Sequence, residues 1–273
     1  FADDDFAFRV RRAGYKLVYA GDTFVYHFGS VTTGSEHVEK NSLQVSRKIF
    51  VDKYGIDAWE DASFCPYITD VVDYSKKQEN VCILGINTAC GATSLQVKNK
   101  YAQRGTKVYL ANYLEDAKYL VDSKTISDTS LVGRLEDIAI SLNETFDTII
   151  VERGLESCRD LKKFLHSLCL LTEKGGQIYL ALSNEFYYSN IIHGLNRKST
   201  DNSDKLIQYY IDLNKLIGVL QSLGLTNIRT IRCINIMDEK QKDIIRSLSS
   251  TMPDAQLAEE ILSAHKYVVC AQI

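Results

Sequence analysis

No apolar run in the sequence approaches the roughly 20 residues that a membrane-spanning helix needs, so no helical span is expected. No C-x-x-C pair occurs among the seven cysteines at 65, 82, 90, 158, 169, 233 and 270, and several of them sit inside apolar runs. That pattern argues against a disulfide framework and for buried, reduced thiols. It points to the cytoplasm, where partners could hold the chain at the inner face of a membrane. No spacing of His, Cys and acidic residues marks a structural zinc. A formal net charge of −3 leaves no electrostatic case for nucleic acid or an anionic membrane as partner. Internal repeats, low-complexity tracts and a signal-like leader are not found either. What is present is an ordinary globular composition, 45% hydrophobic and 25% charged, in 273 residues, enough for one large or two modest domains.

The chain opens at Phe1, in the middle of a dense acidic motif, and reads as a fragment of a longer protein. Phe6, Val10 and Ala13 fall at helical spacing, with Asp3 to Asp5 at the N-terminal end and Gly14 suited to the position past the C-terminus. Tyr15 to Tyr19 and Thr23 to Phe28 then read as two strands around a Gly21-Asp22 turn. Helical spacing returns over 36–54, with Leu43, Ser46, Ile49 and Phe50. Residues 56–79, with Pro66 and few periodic positions, read as a connector. The expected division is therefore 1–58, a linker over 59–79, and a domain over 80–273.

From residue 80 apolar runs alternate with helical patterns. Expected strands are Val81–Leu84, Val108–Ala111, Thr148–Val151, Ile178–Leu182, Ile228–Cys233 and Tyr267–Ala271. Expected helices are Thr93–Gln103, Leu161–Leu171, Leu206–Leu223 and Lys240–His265, the last interrupted near Pro253. This alternation predicts an α/β fold, a mostly parallel sheet covered on both faces, with the last two strands adding an antiparallel edge.

Phe1-Ala-Asp-Asp-Asp-Phe-Ala-Phe-Arg-Val-Arg-Arg-Ala-Gly-Tyr15, followed by Val25-Tyr-His-Phe-Gly-Ser30, resembles the end of the catalytic domain of family 2 inverting glycosyltransferases. The resemblance implies that Asp3 is the base that deprotonates an acceptor hydroxyl, since a sugar hydroxyl is a poor nucleophile until a positioned carboxylate takes its proton. It implies Asp5 as a supporting group and His27 as the histidine near the nucleotide diphosphate or its metal. The family's nucleotide-binding half and its metal motif precede such a region. The missing N-terminal half is thus an implied partner, a divalent metal belongs only to the intact domain, and this fragment alone is not expected to transfer sugar. The other reading is that the aspartates cap a helix and His27 sits beside the hairpin.

Val81-Cys-Ile-Leu-Gly85-Ile-Asn-Thr-Ala-Cys-Gly91-Ala-Thr-Ser-Leu follows a strand and opens a helix, where a Gly-rich turn lets backbone N–H groups approach a cofactor. With Phe146-Asp-Thr-Ile-Ile150, Leu155-Glu156, Glu173-Lys-Gly-Gly-Gln177 and Ala264-His-Lys-Tyr-Val-Val269, residues 80–273 resemble class I S-adenosylmethionine-dependent methyltransferases, those fused to glycosyltransferases in particular. The implied architecture is the Rossmann-like class I methyltransferase fold, preceded by a partial glycosyltransferase helix-hairpin segment. The implied cofactor is S-adenosylmethionine, lined by Gly85, Asn87, Gly91, Asn112, Glu136 and Asp137.

Several positions depart from the family. Ile83 or Gly85 stands where an acid usually ends the first strand, and the glycine spacing is two residues longer than usual. Asn112 replaces the acid that grips the ribose hydroxyls, losing a charge-assisted bond. Arg134 takes the third acidic place, with Glu136 or Asp137 as substitutes, and Ser157 takes that of a histidine.

For the acceptor, Glu156 falls in the resembling Leu-Glu pair. Asn184, Tyr187, Tyr188 and His193 follow an expected strand, where a sheet of this kind binds ligands and where aromatics could stack on a sugar or glycan. The plainer reading is a surface loop with half-buried tyrosines. His37 and His265 read as surface residues.

The functional expectation is part of a bifunctional glycosyltransferase/methyltransferase of polysaccharide assembly, its complete domain methylating a sugar. The alternative is a degenerate module that binds a glycan, a nucleotide sugar or a partner and scaffolds the glycosyltransferase. A third reading gives residues 80–273 only an oligomerisation role. Residues 1–55 carry apolar strands without partners, so they are expected to pack on the second domain or on another copy, as in a homo-oligomer.

Overall fold

The computed structural model describes residues 1–18, 20–26, 41–75, 79–196 and 211–273. Seven strands form one sheet: β1 Asn80–Ile86, β2 Lys107–Leu114, β3 Thr129–Val132, β4 Phe146–Val151, β5 Thr172–Ser183, β6 Thr226–Ile234 and β7 Ala264–Gln272. Their order is β3-β2-β1-β4-β5-β7-β6. The first five run parallel, and β7 lies antiparallel between β5 and β6. The α/β fold with its antiparallel edge is as the alternation of apolar runs and helical patterns predicts.

The central strands are largely apolar because both faces are covered. On β1, Val81 and Ile83 enter one core with Val97, Leu110, Ile150 and Tyr179. Leu84 and Ile86 enter the other with Ile149, Phe164, Leu168 and Leu180. The helix Leu161–Leu171 has the predicted bounds. Asp160 caps it by accepting from the Lys163 N–H at 2.9 Å, and Phe164, Leu165, Leu168 and Leu171 form its buried stripe. Asp212, Asp238 and Asp254 cap the helices Leu213–Ser222, Glu239–Ser249 and Ala255–Ser263 in the same way. The expected helix over 240–265 is thus two helices, and residues 206–210 of the expected helix before it lie outside the described residues. Among the described residues no helix is long and apolar enough to cross a membrane.

Several expectations are corrected. No strand forms among the described residues 15–18 and 20–26, where Tyr15, Leu17, Val18, Phe24, Val25 and Tyr26 are exposed. Two strands with no third beside them lack the support that a hairpin needs. β5 begins at Thr172, ahead of the expected Ile178, and takes in Gly175-Gly176, where the β4 pairing jumps from Phe146–Thr172 to Thr148–Gln177. Gly175 is left-handed there, a conformation that glycine adopts at little cost. β3 was not anticipated, nor was the helix Tyr188–Asn196.

The stretch 56–75 is folded onto the sheet: Ile56 and Ile68 have no exposed surface, and Pro66 opens the short helix Pro66–Thr69. The helices Ala2–Arg12 and Ser42–Tyr54 pack over the loop after β1, where Phe8, Phe50, Ile56 and Ala58 enclose Cys90. Trp59 lies at this seam, with Phe1 4.9 Å away and the Arg47 guanidinium 5.1 Å over its ring. Arg12 spans the seam, its Nε and Nη2 meeting Asp122 at 3.0 and 2.7 Å.

Candidate functional site

The sheet reverses its winding between β1 and β4, and the loops leaving the carboxyl ends of these neighbours form the crevice where such sheets take ligands. Residues 87–91 leave β1 and residues 152–157 leave β4, with the Glu152 N–H donating to the Ile86 carbonyl.

Gly85 and Gly91 are both required, but by this chain's own side chains. A Cβ on Gly85 would lie 2.4 Å from Asn112 Oδ1 and 2.9 Å from Ser94 Cβ. One on Gly91, which is left-handed at φ +86°, would lie 2.3 Å from Ile126 Cδ1. Asn112 is buried in mid-strand. Its Oδ1 accepts from the Ser94 hydroxyl and its Nδ2 donates to the Ser123 hydroxyl, both at 3.0 Å. The expected ribose partner is therefore an interior crosslink.

Asn87 is also occupied. Its Nδ2 donates to Glu115 Oε2 at 2.8 Å, and its Oδ1 accepts from the Glu115 N–H at 2.9 Å. A Cβ on Gly154 would meet Asn87 Nδ2 at 2.6 Å, so the loops after β1, β2 and β4 close on one another here. Within the first loop, the Cys90 N–H donates to the Asp61 carbonyl and the Gly91 N–H to that of Thr88.

Glu115 and Asp61 escaped the sequence reading. Glu115 is the acid at the carboxyl end of β2, and the signal was the pair Glu115-Asp116 directly after an apolar run. The side chain of Asp61 takes the Tyr119 hydroxyl at 2.8 Å and Arg153 Nη1 at 3.1 Å, so one residue ahead of the sheet ties together the loops after β1, β2 and β4.

The remaining expected residues are dispersed. Glu136 Oε1 accepts from the Arg159 N–H at 2.8 Å, and its own backbone N–H holds its carboxyl below the ordinary range. Asp137 faces Lys163 at 3.9 Å. Glu156 Oε1 accepts from the Ser183 N–H at 2.6 Å, joining the β4 loop to the end of β5. Asn184 Nδ2 donates to the Ile261 and Ala264 carbonyls, each at 2.7 Å, so this residue orders a turn. Tyr188 is core, packed with Ile245 and Leu262, and Tyr187 stacks edge-on against it at 4.8 Å. His193 is exposed on the helix Tyr188–Asn196. The aromatics beside a nearby cavity of about 550 Å³ are instead Phe186 and Tyr267. His265 is a half-buried contact of Tyr67 and Tyr187 rather than a surface residue.

In the N-terminal segment Asp3 is exposed, whereas Asp5 is bound by Lys53, by the Tyr54 hydroxyl at 2.7 Å and by Arg9 at 2.9 Å. The hydrogen bond from Lys53 leads in lowering its carboxyl to about 2. His27 and His37 lie outside the described residues. Among the described residues no group of three or more His, Cys, Asp or Glu could hold a metal.

Two buried polar atoms near the crevice have no partner: the Thr88 hydroxyl in the loop after β1 and Glu152 Oε2 at the end of β4. Burial pushes the Glu152 carboxyl up, against a hydrogen bond from Thr93 and the charges of Arg153 and Lys266.

No protein-family model matches the sequence, and no curated protein matches it. Solved structures are similar to it in fold. A SAM-dependent methyltransferase from Archaeoglobus fulgidus is 13% identical, with 82% of this chain and 98% of that one covered and a TM-score of 0.52. A complex from Haloferax volcanii between the Trm112 methyltransferase activator and a methyltransferase gives 12% identity, coverages of 83% and 93%, and a TM-score of 0.51. The CurJ carbon methyltransferase is 17% identical with a TM-score of 0.48, and this chain spans 50% of its length. The fold is that of the Rossmann-like class I methyltransferases.

Proposed function

We propose that the chain is a module of glycan assembly. Residues 1–58 are the end of a glycosyltransferase catalytic domain. Residues 80–273 are a methyltransferase-like domain closed to S-adenosylmethionine, which binds a sugar and positions the glycosyltransferase instead of transferring a methyl group.

One observation carries this reading. The groups expected to grip the cofactor are spent on each other: Asn112 on Ser94 and Ser123 in the space that Gly85 leaves open, and Asn87 on Glu115 under Gly154. Asn112, 1% exposed, is withdrawn from any ligand in the crevice, and Asn87 is held against Glu115 with its loop under Gly154, so the residues do not fit the cofactor as they stand. Calorimetric titration of the chain with S-adenosylhomocysteine tests this. No heat is expected up to millimolar ligand. Micromolar affinity, abolished by Gly91→Val, overturns the reading.

The second reading, S-adenosylmethionine-dependent methylation of a sugar, draws on Glu115. Its carboxylate stands at the end of β2, where an acid would take the ribose hydroxyls if the pair with Asn87 opened. In that case Gly85 and Gly91 would set the loop, and Glu136 and Asp137 would lie beyond β3.

A further inference from the structure

At the carboxyl ends of β4 and β5 lies a second, smaller space, a cavity of about 70 Å³ lined by Glu152, Gly154, Glu156, Ser183 and Lys266 among others. Glu152 is only 8% exposed, and its Oε2 has no hydrogen-bond partner. The rest of the carboxylate is supported. The Cys65 N–H donates to Thr93 Oγ1 at 2.9 Å, which leaves the Thr93 hydroxyl proton for Glu152. A buried acceptor left open is expensive and calls for a partner.

The charges around the cavity limit what that use can be. Glu152 and Glu156 oppose an anion, whereas Arg153 and Lys266 oppose a cation. A neutral hydroxyl suits both signs, because it can donate to a carboxylate and accept from an ammonium group. The volume admits one hydroxyl or hydroxymethyl group and leaves the remainder of the ligand outside. Ser183 also lines the larger cavity of about 550 Å³ beside Phe186 and Tyr267.

We propose that this corner is a subsite for the hydroxyl-bearing edge of a neutral sugar, with Glu152 accepting from one hydroxyl and Lys266 donating to the next oxygen. It rests on the sugar-handling half of the function proposed above and is independent of whether S-adenosylmethionine binds. Unchanged affinity in both variants below defeats the subsite alone, whereas binding of no glycoside defeats sugar handling as well; the S-adenosylhomocysteine titration reads only the cofactor question.

The test is saturation-transfer NMR on the whole chain. The probes are the methyl α-glycosides of glucose, galactose and mannose, with galacturonic acid and galactosamine as charged counterparts. At least one neutral glycoside is expected to bind in the millimolar range. Glu152→Gln should weaken it about tenfold or more, as loss of a charge-assisted hydrogen bond does. Lys266→Gln should weaken it in the same direction. Glu152→Gln should also raise Tm by about 2–4 °C, because it removes a buried, incompletely paired charge, and this separates lost binding from lost folding. Binding of no neutral glycoside, preference for a charged sugar, or unchanged affinity in both variants overturns the proposal.

Discussion

Gly85 and Asn112 act as one unit divided between two strands: the missing Cβ of one is the space that the amide of the other fills. Gly85→Ala should therefore destabilise the chain by about 1–3 kcal/mol in urea denaturation, the usual cost of overpacking a core. Asn112→Ser in the same background should recover most of that loss, since sites in contact do not add. Equal stability of the single and double variants would sink the coupling. The glycine was legible in the sequence and its role was not. The apolar run Val108–Ala111 ends the strand too early, because Tyr113 and Leu114 continue it behind a polar Asn112. With β2 running to Leu114, Asn112 falls inside the strand and points into the interior, and the acid just beyond the strand becomes Glu115. A misplacement of three residues moved the expected ribose contact from an exposed carboxylate to a buried amide.

Elements were legible where caps and stripes coincide. Asp160, Phe164, Leu165, Leu168 and Leu171 suffice to bound a helix, because its N-terminus and its buried face are both written in residue type. β3 escaped because Thr129–Val132 is short, polar at two of four positions and nowhere fully buried. That the helix Ala2–Arg12 packs on the domain over 80–273 was one of the two expected outcomes, but its partner Asp122, 110 residues away, could not be read. Asp122 has no exposed surface, and both its oxygens are held by Arg12. Arg12→Met should leave that carboxylate buried without its cation and cost about 3 kcal/mol. Adding Asp122→Asn should restore more than half of the loss in chemical denaturation. A single Arg12→Met variant as stable as the parent would show that this pair does not hold the helix.

At the scale of the whole molecule the sheet was the legible part: alternating strands and helices imply parallel pairing, and the last two strands, one on each side of the final helical stretch, imply the antiparallel edge. The layer laid over its carboxyl ends was not, because Asp61 sits in a stretch without periodicity and finds its partners, Tyr119 and Arg153, only in three dimensions. That layer is attached by the small cluster around Phe8 and Phe50 and by a few polar bonds, whereas the sheet is closed by two extensive cores. The single tryptophan of the chain, Trp59, lies in the layer and not in the sheet. The protein thus carries a built-in fluorophore that watches its cover alone, while far-ultraviolet circular dichroism watches all the helices, most of which belong to the sheet's own layers. In a urea titration the indole emission should shift to the red before the dichroism is lost, with two separate midpoints, as expected when one region opens ahead of global unfolding. Coincident midpoints would mean that cover and sheet melt as one cooperative body.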